Sequence, residues 1–295
     1  MICTRISSSQ VPLFSRSFST KPSIDLAKIF IFPIKKGKHP YVYFKYNEEL
    51  VNSSSTIVKY ENKLITLAAK GWKTLQDSDK SYNKKIVHYI NKLLEQTPWV
   101  ENSLLSFPSQ SALLKQVKLH NNEKGEEKLA NKLSPIYELE NIKHDLIKIP
   151  VYYPKSIIEK SKLTEELLKL TDSSQSFFKK KMIINALLLP LTAPLILLPI
   201  VPNVPGFYLC YRFYCNLKAS LGASHLKEMI SQNELEFVES NELDTFYENS
   251  ANETLFINEQ TIEKIVESFE TQGIKTYLIK ALKQESHSEQ GKSIE

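Results

Sequence analysis

Residues able to do covalent or acid–base chemistry are few in this chain and poorly spaced for it. The cysteines are Cys3, Cys210 and Cys215, with no C-x-x-C pair and no histidines near them at metal-ligand spacing, which sets aside structural zinc and a disulfide framework. Cys210 and Cys215 stand about 140° apart round a helix and read as small packing residues. The seven glycines form no G-x-G-x-x-G or G-x-x-x-x-G-K-[ST] string, so a phosphate-cradling loop has no basis. His88 falls between two apolar helix faces and reads as a surface or satisfied core histidine. Without paired carboxylates or a nucleophile motif the chain reads as not an enzyme, with no catalytic, cofactor-binding or metal residues and no cofactor.

The chemistry that remains is that of oxygens and cations around an uncharged run. Met182 to Tyr211 carries no charge and follows Phe177-Phe178-Lys179-Lys180-Lys181. Its first part, Met182 to Val201, would rise about 30 Å as a helix, the thickness of a bilayer's hydrocarbon core. Proline at 190, 194, 199, 202 and 205 removes donors and strips carbonyls of their partners. Such a segment is either a kinked single span or a half-membrane hairpin. Thr192, Asn203 and Tyr208, with the freed carbonyls, are its candidate ion contacts. One segment cannot enclose a pore, so transport would need a homo-oligomer or a larger membrane complex. The aromatic run around Arg212, from Phe207 to Tyr214, fits a headgroup belt.

The elements around this segment divide the chain by composition. Residues 1–18 read as a mitochondrial presequence: there is no acid before Asp25, and Arg5, Arg16 and Lys21 sit among Ser and Thr. Arg16-Ser17-Phe18-Ser19 places the cut between Phe18 and Ser19. Residues 19–176 read as a basic α+β domain, 177–227 as the membrane segment with an interfacial helix, and 228–295 as an acidic helical region with a disordered tail. Residues 228–295 carry 15 acids against 5 lysines, leaving the remainder at net +15. By the charge bias of membrane flanks the basic part faces the matrix of the inner membrane, and the tail faces the other side if the chain crosses once. No RNP1-like string supports nucleic-acid binding.

The fold class expected is α+β and mostly helical. A hairpin is predicted over 27–46 around the Lys35–Lys38 turn, with a third strand over Asp145–Tyr153. Amphipathic helices are predicted at Tyr60–Gln76, Lys84–Gln96, Ile157–Leu170, Glu259–Glu270 and Tyr277–Lys283. Residues 120–134 read as a solvated loop or mobile helix.

The string Pro202-Asn203-Val204-Pro205-Gly206-Phe207-Tyr208-Leu209-Cys210-Tyr211-Arg212, followed by Lys218-Ala219, Gly222 and Ser224-His225-Leu226, resembles the signature of the mitochondrial K+/H+ exchange-related family, over roughly residues 27–235. The resemblance implies an inner-membrane component or regulator of potassium–proton exchange. It also puts Arg212, Lys218 and His225 on the helix after the apolar segment. There they read as lipid-phosphate anchors and packing residues, or as a gating cluster in which His225 senses matrix pH. An alternative of another class is a membrane-tethered adaptor holding a matrix partner such as the mitochondrial ribosome.

Overall fold

The computed structural model describes residues 26–55, 81–121, 128–135, 144–197, 204–248 and 253–290, with positions 58, 59, 61–63, 65, 66, 70, 73, 76 and 77 between the first two ranges. The expected presequence and its expected Phe18–Ser19 cut lie outside the described residues. In chain order the strands are β1 (Ala27–Phe32), β2 (Tyr41–Tyr46), β3 (Lys115–Asn121), β4 (Lys128–Ser134), β5 (His144–Leu146), β6 (Ile149–Tyr153) and β7 (Leu235–Glu239). The helices are α1 (Ser81–Glu95), α2 (Trp99–Leu104), α3 (Lys160–Leu188), α4 (Val204–Ser231), α5 (Asn241–Tyr247), α6 (Glu259–Ser268) and α7 (Lys275–Gln290).

The central sheet has the order β2-β1-β6-β7. β2 runs antiparallel to β1, whereas β6 and β7 run parallel to it. The near-continuous apolar run of β1 has its reason here, because a sheet covered on both faces needs apolar side chains on both. Ile29 and Ile31 point to one face, where Leu163, Leu167 and Leu170 of α3 and Leu226 and Met229 of α4 cover them. Phe30 and Phe32 point to the other, under Leu243, Tyr247, Ile262, Ile265, Val266 and Leu278 of α5, α6 and α7. The acidic C-terminal segment thus supplies a strand of the central sheet and all three helices of one layer.

The hairpin predicted over 27–46 is present in register from Ala27–Tyr46 to Phe32–Tyr41. The predicted third strand is divided. β5 pairs with β3 in a second sheet of order β4-β3-β5, while β6 enters the central sheet. Pro150 is tolerated because Ile149 donates to Glu234 on the β7 side, which turns the missing donor of its neighbour toward β1, whose pairing with β6 involves only Val151 and Tyr152.

Residues 120–134 correct the expectation of a loop: β3 and β4 form an antiparallel ladder there, with 122–127 outside the described residues. The helix expected to end at Leu170 runs on to Leu188, and α7 carries the supposedly disordered tail in helix as far as Gln290. In the Tyr60–Gln76 prediction the described positions up to 76 are helical, but Leu64, Leu67, Ala68 and Trp72 lie outside the described residues.

Of the two forms expected of the Met182–Val201 segment, a kinked span or a half-membrane hairpin, the span is not supported. Among the described residues no helix is long and apolar enough to cross a membrane. α3 stops at Leu188, a 3-10 turn occupies Leu189–Leu197, and α4 starts at Val204 in the opposite direction. Pro199 and Val201 lie outside the described residues. Pro190 and Pro194 account for the change, since each removes a donor that a continuing α-helix requires. α3 and α4 form an antiparallel pair: Lys227 meets Asp172 at 2.6 Å, and Phe178 packs with Ala219 and Ala223. This pair is the crossover between the adjacent parallel strands β6 and β7.

Candidate functional site: the hairpin tip and its latch

Two features of the α3–α4 hairpin stand out, an uncovered apolar tip and a polar latch at its base. Beyond Phe178, the last fully buried residue of α3, the side chains face outward. Leu187, Leu191 and Phe207 are 71%, 72% and 70% exposed, and Ile183, Ile184 and Leu188 are also uncovered. Met182 is partly buried and Pro190 and Pro194 are exposed. Lys179, Lys180 and Lys181 lie exposed where the tip begins.

The latch is built on α2, six residues that sequence patterning did not single out. Glu101 is 2% exposed and receives both guanidinium branches of Arg212, at 2.5 and 2.6 Å. Burial alone would lower the arginine pKa, but the hydrogen bonds and charge of Glu101 outweigh it and hold the group above its ordinary value. Losing one partner of such a pair strands the other as a buried charge, at a cost of about 3–5 kcal/mol.

The same short helix touches three other elements. Ser103 Oγ accepts from Val42 N at 2.9 Å and donates to Val42 O at 2.7 Å, and Ser106 Oγ just beyond α2 accepts from Phe44 N. These hydroxyls cover the edge strand β2, which would otherwise offer a free ladder. Trp99 Nε1 donates to Glu285 of α7 at 2.8 Å, and Trp99 N donates to Gln284 Oε1. The Leu104 carbonyl lies against Gly222 of α4, where an added Cβ would stand 2.3 Å from it. Gly222 is what lets α2 and α4 approach this closely.

The remaining expected site residues do not converge. Thr192 is buried and its hydroxyl donates to the Leu189 carbonyl at 2.8 Å within the turn. Asn203 lies outside the described residues. Tyr208 is partly buried, with its pKa raised by burial. Lys218 and Tyr214 both reach Glu61, the tyrosine at 2.6 Å. His225 is 2% exposed, and its Nδ1–H donates to the Pro108 carbonyl at 2.7 Å.

Arg212 and His225 are separated by about 20 Å along α4, so they form no cluster. The expectation of lipid-phosphate anchors is corrected as well, because Arg212 and Lys218 are committed to carboxylates of this chain. Nor does His225 suit sensing near neutral pH: burial pushes its pKa down to about 4, against the opposing bond to Pro108. Of the two cysteines on α4, Cys215 is buried as expected, whereas Cys210 is exposed.

α4 ends in a left-handed residue, Asn233 at φ 55°, with Glu234 N donating to Met229 O. That cap turns the chain straight into β7. The string Pro202 to Leu226 therefore encodes the returning arm, its latch and its close contact with α2.

The family described as mitochondrial K+-H+ exchange-related matches residues 28–230. The chain belongs to this family. The matched residues run from β1 to the end of α4, so the exchange-related family is defined by most of the central sheet, α2 and the whole hairpin. An uncharacterized protein of Saccharomyces cerevisiae is 37% identical over 285 residues, 92% of this chain and 88% of its own length. An uncharacterized protein of Schizosaccharomyces pombe is 32% identical over 189 residues, 63% of this chain and 70% of its own. No solved structure matches. The budding-yeast relative covers nearly the whole chain, so its likeness extends beyond the family region into the C-terminal layer.

Proposed function

We propose that this protein is an inner-membrane-docked subunit or regulator of mitochondrial potassium–proton exchange, acting through the α3–α4 hairpin and not as an enzyme. The reading is carried by one observation: the apolar tip is uncovered, while the base of the same hairpin is latched to the sheet edge and to the C-terminal layer through α2. The family's description as exchange-related supports this choice of process. A supporting rather than conducting role is favoured because residues 182–211 contain no Asp, Glu or His, and an exchanger needs a titratable group on its path. The nearby carboxylates Glu101 and Glu61 are engaged by Arg212 and Lys218.

The test is potassium-acetate swelling of energy-depleted mitochondria from cells lacking the protein. Swelling that is lost, and that a K+/H+ ionophore restores, supports the reading; normal swelling overturns it. The adaptor reading has its own observation in α1, whose Tyr89 and Leu93 are exposed among Lys84, Lys85 and Lys92. Normal swelling together with co-purification of a large partner that is lost on Tyr89→Glu substitution would favour it.

A further inference from the structure

We propose that the hairpin tip enters a single leaflet of an anionic bilayer, with Lys179, Lys180 and Lys181 on the lipid phosphates and with the basic body and the acidic C-terminal layer on the same side. This rests on the membrane-docking part of the reading above and is independent of potassium exchange.

The first argument is length. From Phe178 to Leu188, α3 extends by ten residues, about 15 Å. On the returning arm, Arg212 is held to Glu101, and eight residues lead back to Val204, about 12 Å. Both overhangs match half of a hydrocarbon core of about 30 Å. Neither helix, the one stopping at Leu188 and the other starting at Val204, reaches past about the middle of the core while Phe178 and Arg212 keep their partners.

Topology gives the second argument. The hairpin leaves from β6 and returns to β7, which are hydrogen-bonded neighbours from Ile149–Leu235 to Tyr153–Glu239. The chain before and the chain after the tip therefore lie on one side of any membrane the tip meets. This replaces the arrangement in which a single crossing would send the acidic tail to the opposite compartment.

Charge supplies the third. The tip has no charge from Met182 to Tyr211, and the three consecutive lysines stand at its root, at the depth of the phosphates once the apolar part is immersed. The proline-rich turn then lies within the hydrocarbon, and its 3-10 geometry keeps local hydrogen bonds such as Thr192 to Leu189. A second copy packed side by side and parallel on the tip would bring the lysine triplets of both together, which opposes that arrangement.

Flotation of the mature full-length chain with vesicles tests this, comparing phosphatidylcholine alone with phosphatidylcholine containing about a third phosphatidylglycerol. The expected result is binding to the anionic vesicles at least roughly tenfold stronger than to the neutral ones. Lys179→Glu, Lys180→Glu and Lys181→Glu together should abolish that preference. Leu187→Asp with Leu191→Asp should abolish binding to both, at an unchanged melting temperature. A polarity-sensitive dye on exposed Cys210 should shift to the blue with anionic vesicles and gives the same answer without altering the tip. Protease added outside should cleave both the body and residues 235–290.

A fragment containing residues 235–290 that intact vesicles protect, and that is digested without vesicles, would overturn the single-leaflet placement. A stable dimer that ignores vesicles would overturn lipid as the occupant. Vesicle binding as described with normal potassium swelling would leave this inference standing and remove only the exchange reading.

Discussion

Gly222, Arg212 and His225 belong to one string of sequence, yet each does a different job. At Gly222 the obstacle to a side chain is a backbone oxygen, Leu104 O at 2.3 Å, which cannot rotate away. Gly222→Ala should destabilise the protein by about 1–3 kcal/mol or more, read as a lower urea midpoint. Arg212→Lys keeps the charge but loses the two-pronged match to Glu101, so thermal unfolding should show a clear loss; Arg212→Ala should cost about 3–5 kcal/mol. His225 is neutral in the folded state down to about pH 4 and ordinary when unfolded. The unfolded chain therefore takes up the proton first. The stability this histidine contributes is complete above about pH 6.5 and falls by about 3 kcal/mol as pH drops toward 4. Urea melts across that range should show the slope, and His225→Gln should flatten it, since an amide can still donate to Pro108 without titrating.

At the scale of elements, α2 and the hairpin divide the labour. α2 joins the sheet edge, α4 and α7 through Ser103, Glu101 and Trp99, so substitutions there act on stability. The tip beyond Phe178 touches little of the body, so substitutions there should spare stability and affect function. Leu187→Asp with Leu191→Asp should leave the melting temperature unchanged while potassium-acetate swelling is lost as in the deletion. If the double variant restores normal swelling, the tip is not the working part. The converse holds for Gly222→Ala, where lost swelling should go with lowered protein abundance.

For the whole molecule, the acidic C-terminal segment is structural. It provides β7, the neighbour of β6, and the layer that buries Phe30, Phe32 and Tyr41. A chain ending at residue 231 should therefore fail to fold cooperatively, observed as loss of the thermal transition and rapid proteolysis. The sequence by itself determined what local patterning can carry. It specified the β1–β2 hairpin, the amphipathic α1 and α6, the charge-free run with its lysine triplet, and the family string. Those signals lie within a few residues of one another along the chain. It left a choice open where one local signal has two tertiary solutions: an uncharged stretch of bilayer length is equally a span or the tip of a hairpin, and the prolines that break it do not say which way the chain leaves. Only the tertiary structure decided that β6 and β7 are parallel neighbours, which forces the hairpin to return. Likewise, Arg212 and Lys218 look like headgroup cations until Glu101 and Glu61, 111 and 157 residues away, are brought against them. Pairings across such distances leave no periodicity to read, because they are set by how layers stack on the sheet and not by the order of neighbouring residues.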